Sequence, residues 1–160
     1  MKSFSKALSY AYLLLRYRPR SEYEIRLRLR KKEFSKAIIR KVVRSLKDYN
    51  YIDDQEFVKN YVESSVAKGW GPVKVEFNLK KFKVAARLRK KALEEIESQS
   101  DKLIEKLFKE KIYSLKKSKP DLDQKKLKEK AIRFLANKGF YYKDIFVYLN
   151  RIDRQADENR

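Results

Sequence analysis

Arginine is the side chain in this sequence with the most chemistry to offer, because its planar fork holds a phosphate or carboxylate through two parallel hydrogen bonds. Eight of the 14 arginines lie between residues 16 and 44. Glu22 with Arg26 and Glu24 with Arg28 stand four residues apart in the order that favours ion pairing along a helix. Arg16, Arg18, Arg20, Arg30, Lys31 and Lys32 have no such partner at hand, and are candidates for contact with a polyanion or an acidic partner. A second run comprises Lys80, Lys81, Lys83, Arg87, Arg89, Lys90 and Lys91, within a stretch (residues 72–93) that has eight basic side chains to one glutamate. Trp70, in the turn Gly69-Trp70-Gly71-Pro72, is a further candidate contact, with packing between helices as its alternative role. The lysines of residues 102–130 alternate with acids and read as solubilising.

Catalytic chemistry has little to work with. The chain has neither histidine nor cysteine, which removes the commonest general base, the thiol nucleophile, disulfides and cysteine-ligated metals. Three isolated glycines build no phosphate-cradling loop. Asp53-Asp54 and Asp121-x-Asp123 fall at expected helix starts, where capping accounts for both pairs. The sequence therefore predicts no enzyme, and no catalytic, metal or cofactor-binding residue.

The elements that position these side chains follow from a threefold cadence. Phe34, Val42-Val43 and Leu46 recur as Val84, Ala92-Leu93 and Ile96, then as Phe140, Tyr148-Leu149 and Ile152. A leucine precedes each run by five residues, at Leu29, Leu79 and Leu135. Such spacing is a helical face, and its return at 50 to 56 residues marks an array of small units that share their cores. With only 3 Gly and 3 Pro the chain favours long helices. Ser21-Glu22-Tyr23-Glu24 reads as a capping box opening the second helix. The expected fold is all-α: three tandem three-helix repeats at residues 1–52, 53–97 and 98–153, then a frayed tail at 154–160. Tyr12, Phe57, Tyr61, Phe134 and Tyr148 are expected in the core.

The formal charge of +20 is spread unevenly. Residues 1–50 carry fifteen basic and four acidic side chains, residues 51–96 ten and seven, and residues 97–160 seventeen and eleven. Surfaces of this kind attract nucleic acid. The longest apolar stretch, Ala7 to Leu15, is about half the roughly 20 residues of a membrane span. A cytoplasmic, membrane-free protein is the expectation.

Taken together, Ser21-Glu22-x-Glu24-Ile25 with Leu29, Tyr51-Ile52-Asp53-Asp54-x-x-Phe57 with Tyr61, Gly69-x-Gly71-Pro72 with Leu79, and Phe134-Leu135 with Lys138-Gly139-Phe140 resemble the RecX family of bacterial recombination regulators. The similarity runs from about Ala7 to Ile152. Glu33 and Lys83 stand where that family usually has glycine, and only Gly139 keeps it. The resemblance implies an elongated, curved helical array that binds the RecA recombinase filament on single-stranded DNA. It further implies a monomer that limits filament growth or promotes disassembly, acting in homologous recombination and the SOS response. Two readings of other classes stand beside it: a direct binder of single- or double-stranded DNA built from helix-turn-helix-like units, and a helical scaffold whose charge serves solubility.

Overall fold

Five helix ends among the described residues stop by the same device. Four residues after Leu29, Leu46, Ser65, Leu79 and Leu135 the backbone turns left-handed, with φ of 57° at Glu33, 55° at Asn50, 65° at Gly69, 54° at Lys83 and 93° at Gly139. One residue later an amide returns to the starting carbonyl: Phe34 to Leu29 at 3.2 Å, Tyr51 to Leu46 at 2.7 Å, Trp70 to Ser65 at 2.9 Å, Val84 to Leu79 at 3.1 Å and Phe140 to Leu135 at 3.2 Å. This six-to-one closure satisfies carbonyls that a helix end leaves open. The leucine five residues before each apolar run is the residue whose carbonyl receives this bond.

Glu33 and Lys83 hold the left-handed conformation against their own Cβ atoms, at about 1 kcal/mol each. Glu33→Gly and Lys83→Gly are each expected to raise stability by about 0.5–1 kcal/mol, measured by urea unfolding. A loss of stability in either variant would mean that the replaced side chain holds the turn.

The computed structural model describes residues 3–158, which contain eight α-helices and no strand. They are α1 (Phe4–Tyr17), α2 (Glu22–Lys31), α3 (Lys36–Asp48), α4 (Asp54–Ala67), α5 (Pro72–Lys81), α6 (Ala86–Ser118), α7 (Gln124–Lys138) and α8 (Tyr142–Glu158). The all-α expectation holds, with one fusion. The last helix of the second repeat and the first of the third, expected to part near residues 97–101, form the single 33-residue α6. Ser100 occupies the repeat position of Asn50, but it stays helical and its hydroxyl donates to the Ile96 carbonyl at 3.0 Å. The Ser98 hydroxyl likewise donates to Glu95 O at 2.7 Å, so neither serine caps a new helix. At the other end, α8 continues to Glu158 where fraying was expected from residue 154; residues 159 and 160 lie outside the described residues.

The chain forms two compact units. One takes the residues up to Tyr61 together with Leu79–Arg89, and the other takes Val62–Asn78 together with the residues from Lys90 onward. The sequence repeats and the compact units therefore do not coincide: the boundaries fall inside α4, α5 and α6.

In the first unit α1, α2 and α3 pack against one another around Ala7, Ala11, Ile25, Leu29, Val42, Val43 and Leu46. The capping box is formed as expected, with the Glu24 amide donating to the Ser21 hydroxyl and the Glu24 carboxylate accepting from the Ser21 amide, both at 3.3 Å. Ser21 is fully buried and does more than cap. Its hydroxyl donates to the Phe82 carbonyl at 3.2 Å, while Phe82 meets Phe57 and Tyr61 edge-on, both at 5.6 Å. The Asp54 carboxylate accepts the Glu22 amide at 2.9 Å, so the first turn of α4 also serves the first turn of α2. These ties bring residues 79–89 into the unit that holds the arginine-rich segment.

The second unit buries Ile104, Phe108, Ala131, Leu135, Phe140, Ile145, Tyr148 and Leu149. Within it the turn before α5 meets the turn before α8. The Gly71 amide donates to Lys138 O at 2.8 Å and the Val73 amide to Gly139 O at 3.0 Å.

Candidate nucleic-acid interface

Three of the sequence-predicted contact residues have bonding partners within the fold. Arg18 donates to the Glu24 carboxylate at 2.5 Å and to Pro19 O at 2.9 Å. Arg20 lies 3.6 Å from the same carboxylate, and its Nε donates to Leu14 O at 3.2 Å, closing the end of α1. Arg20 and Glu24 stand four residues apart, with the arginine first, whereas Arg18, six residues from Glu24, reaches it across the bend at Pro19. Burial, and then Arg18, lower the Arg20 pKa against the attraction of Glu24, and the guanidinium stays charged. The third is Arg89, half-buried, whose Nη1 donates to Val84 O at 2.6 Å at the α5–α6 turn.

Carboxylates near the arginine-rich segment are largely committed. Glu22 accepts from Arg26 Nε at 2.6 Å, as its spacing predicts, and also pairs with Lys47 Nζ at 2.5 Å. Burial alone would push the Glu22 carboxyl up, but the hydrogen bonds from Lys47 and Arg26 outweigh it and hold the group below the usual range. Glu24 is engaged by Arg18 and Arg20 in place of the expected Arg28.

Arg16, Arg30, Lys31, Lys32, Lys80, Lys81, Lys83 and Arg87 are all exposed and belong to the first unit. The two basic runs, some 50 residues apart in sequence, thus share one compact body. Lys32 extends over the Tyr10 ring, 5.6 Å from its centroid. Lys90 and Lys91 are exposed on the α6 segment of the second unit, with Lys90 3.9 Å from Glu94. Trp70, half-buried in the second unit, takes the ammonium groups of Lys68 and Lys74 over its ring at 5.0 and 4.7 Å.

Sequence reasoning missed one grouping. Arg26, Arg30, Lys36 and Arg40 line a notch of about 380 Å³ between α2 and α3, with Ile39 as its only apolar lining residue. The signal was available in the helical register, since 26 and 30, and again 36 and 40, are four apart and share a face. Among the described residues no group of three or more acids is placed to hold a metal ion, and no helix is long and apolar enough to cross a membrane.

Two family models match the chain: the first three-helix domain of RecX over residues 7–46 and the second three-helix domain of RecX over residues 53–93. The regulatory protein RecX of Bacillus subtilis is 34% identical over 99% of this chain, and that of Lactobacillus gasseri 30% identical over 97%. The chain spans 58% and 56% of the lengths of these two relatives. The crystal structure of RecX from Lactobacillus salivarius superposes with a TM-score of 0.75 at 24% identity, covering 94% of this chain and 96% of that one, which establishes the shared helical repeat fold.

Proposed function

The chain belongs to the RecX family, and from that premise we propose that it binds a RecA-type recombinase filament on single-stranded DNA and restrains the filament's activity without performing chemistry itself. One observation carries the reading furthest. The first unit gathers the exposed Arg16, Arg30, Lys31, Lys32, Lys80, Lys81, Lys83 and Arg87, while Glu22 and Glu24 are taken up by their own ion pairs. A compact body with that excess of forked and ammonium donors suits a filament whose DNA presents a continuous row of phosphates. The RecX crystal structure from Lactobacillus salivarius shares the repeat architecture on which these side chains stand. The protein acts as a monomer, inside the compartment where recombination takes place, and neither limiting growth nor promoting disassembly requires a cofactor.

Direct DNA binding is the second reading, favoured by the exposed cations and by the three-helix units themselves. Fluorescence anisotropy on bare single-stranded DNA and on assembled filaments, across a salt series, separates the two. Tighter binding to filaments at every salt concentration is expected, with affinity falling as salt rises. Equal binding to both would favour the direct DNA binder.

A further inference from the structure

The α2–α3 notch stands out when the repeats are compared position by position. Adding the repeat offset between Leu29 and Leu135 carries Arg26, Arg30, Lys36 and Arg40 onto Ile132, Ala136, Tyr142 and Phe146. Ile39 falls on Ile145, and both isoleucines are buried, at 4% and 0% exposure. The floor is thus apolar and buried in the first and third repeats, whereas Arg89 takes its place in the second. In the third repeat the walls include Tyr142 and Phe146, exposed and stacked on each other 6.4 Å apart. In the first repeat all four wall positions are cationic, with no carboxylate among the lining residues.

Arg26 is paired with Glu22, but Arg30, Lys36 and Arg40 gather around the same small notch and repel one another. We infer that the notch formed by Arg26, Arg30, Lys36 and Arg40 is a phosphate-binding site that holds the backbone of a single nucleic-acid strand, a deepening that rests on the nucleic-acid half of the reading above. The geometry is suited to two consecutive phosphates. Residues four apart on a helix are separated by about 6 Å along its axis, roughly the spacing of neighbouring phosphates on an extended strand. Each helix contributes one such pair. Arg26, which lines the notch, has its Nε held by Glu22, which restrains the guanidinium. An acidic protein surface is the weaker fit, because protein contacts concentrate on aromatic anchors and no aromatic residue lines this notch.

Such a site contacts phosphate without reading base sequence, so it sets the strand's path through its charge. The test uses the triple variant R30Q/K36Q/R40Q, which spares Arg26 and its structural pair with Glu22. The control is K116Q/K117Q/K119Q, which removes the same charge from exposed positions. Both are titrated against a fluorescent single-stranded oligothymidylate at about 50–200 mM salt, with circular dichroism to check folding. The notch variant is expected to bind about tenfold or more weaker, with a salt slope shallower by about 2. The control is expected to retain most of the wild-type affinity.

Equal losses in the two variants would reduce the notch to general charge and overturn the inference. Unchanged DNA binding by the notch variant, with loss of binding to recombinase in the absence of DNA, would reassign the notch to an acidic protein surface and also overturn it. Failure of the wild-type chain to prefer filaments would sink the regulatory reading, while the comparison of the two variants on bare DNA would still judge the notch.

Discussion

Replacing Gly71 with alanine is expected to destabilise the protein by about 3 kcal/mol, a large effect for one methyl group. A Cβ built at Gly71 falls onto the carbonyl group of Gly139 and lies 2.5 Å from the Phe140 amide nitrogen. The obstruction is backbone on both sides. It cannot be relieved by a change of rotamer, and separating the two turns would break the bonds from Gly71 to Lys138 and from Val73 to Gly139. In thermal unfolding the change corresponds to a fall in Tm of about 6–12 °C for a chain of this size. Gly69→Ala is the informative comparison. Its φ of 65° disfavours a side chain, but the nearest atoms are the Leu107 methyl carbons at 3.0 and 3.1 Å, which can move. A cost of about 1–2 kcal/mol is expected there. Equal losses for the two variants would show that the turn-to-turn approach is not the controlling contact.

That pair of turns also shows how far the sequence could be read. Gly69-x-Gly71-Pro72 and Lys138-Gly139-Phe140 are each recognisable as punctuation, and each carries part of the family resemblance. That they meet, and that Gly71 is required by Gly139, is a long-range fact with no local signature. The same division holds elsewhere. The capping box of Ser21 and Glu24 was legible because all its partners lie within four residues. The Phe82 carbonyl on Ser21, 61 residues away, was not.

Helix number was misjudged where a local signal was ambiguous. The third repeat was expected to open near Ser100 and Asp101, but the Ser100 hydroxyl bonds back to Ile96 and α6 runs on. For the candidate interface, composition located the basic runs and helical spacing found the Glu22–Arg26 pair. It did not reveal the bonds of Arg18, Arg20 and Arg89 within the fold, which are reached around bends in the chain. The notch at Arg26, Arg30, Lys36 and Arg40 needed two helices to be placed side by side, which one-dimensional spacing does not supply.

The regulatory reading predicts its own large effect in solution. A protein that engages a filament acts on many protomers through few binding events, whereas one that merely covers DNA must compete for every site. The most direct measurement is the DNA-dependent ATP hydrolysis of the cognate recombinase, preassembled on single-stranded DNA and titrated with this protein. Near-complete inhibition is expected with far fewer copies than there are recombinase protomers or DNA binding sites. Inhibition that appears only once the protein is sufficient to saturate the DNA would contradict regulation of the filament and leave a competitor for DNA in its place.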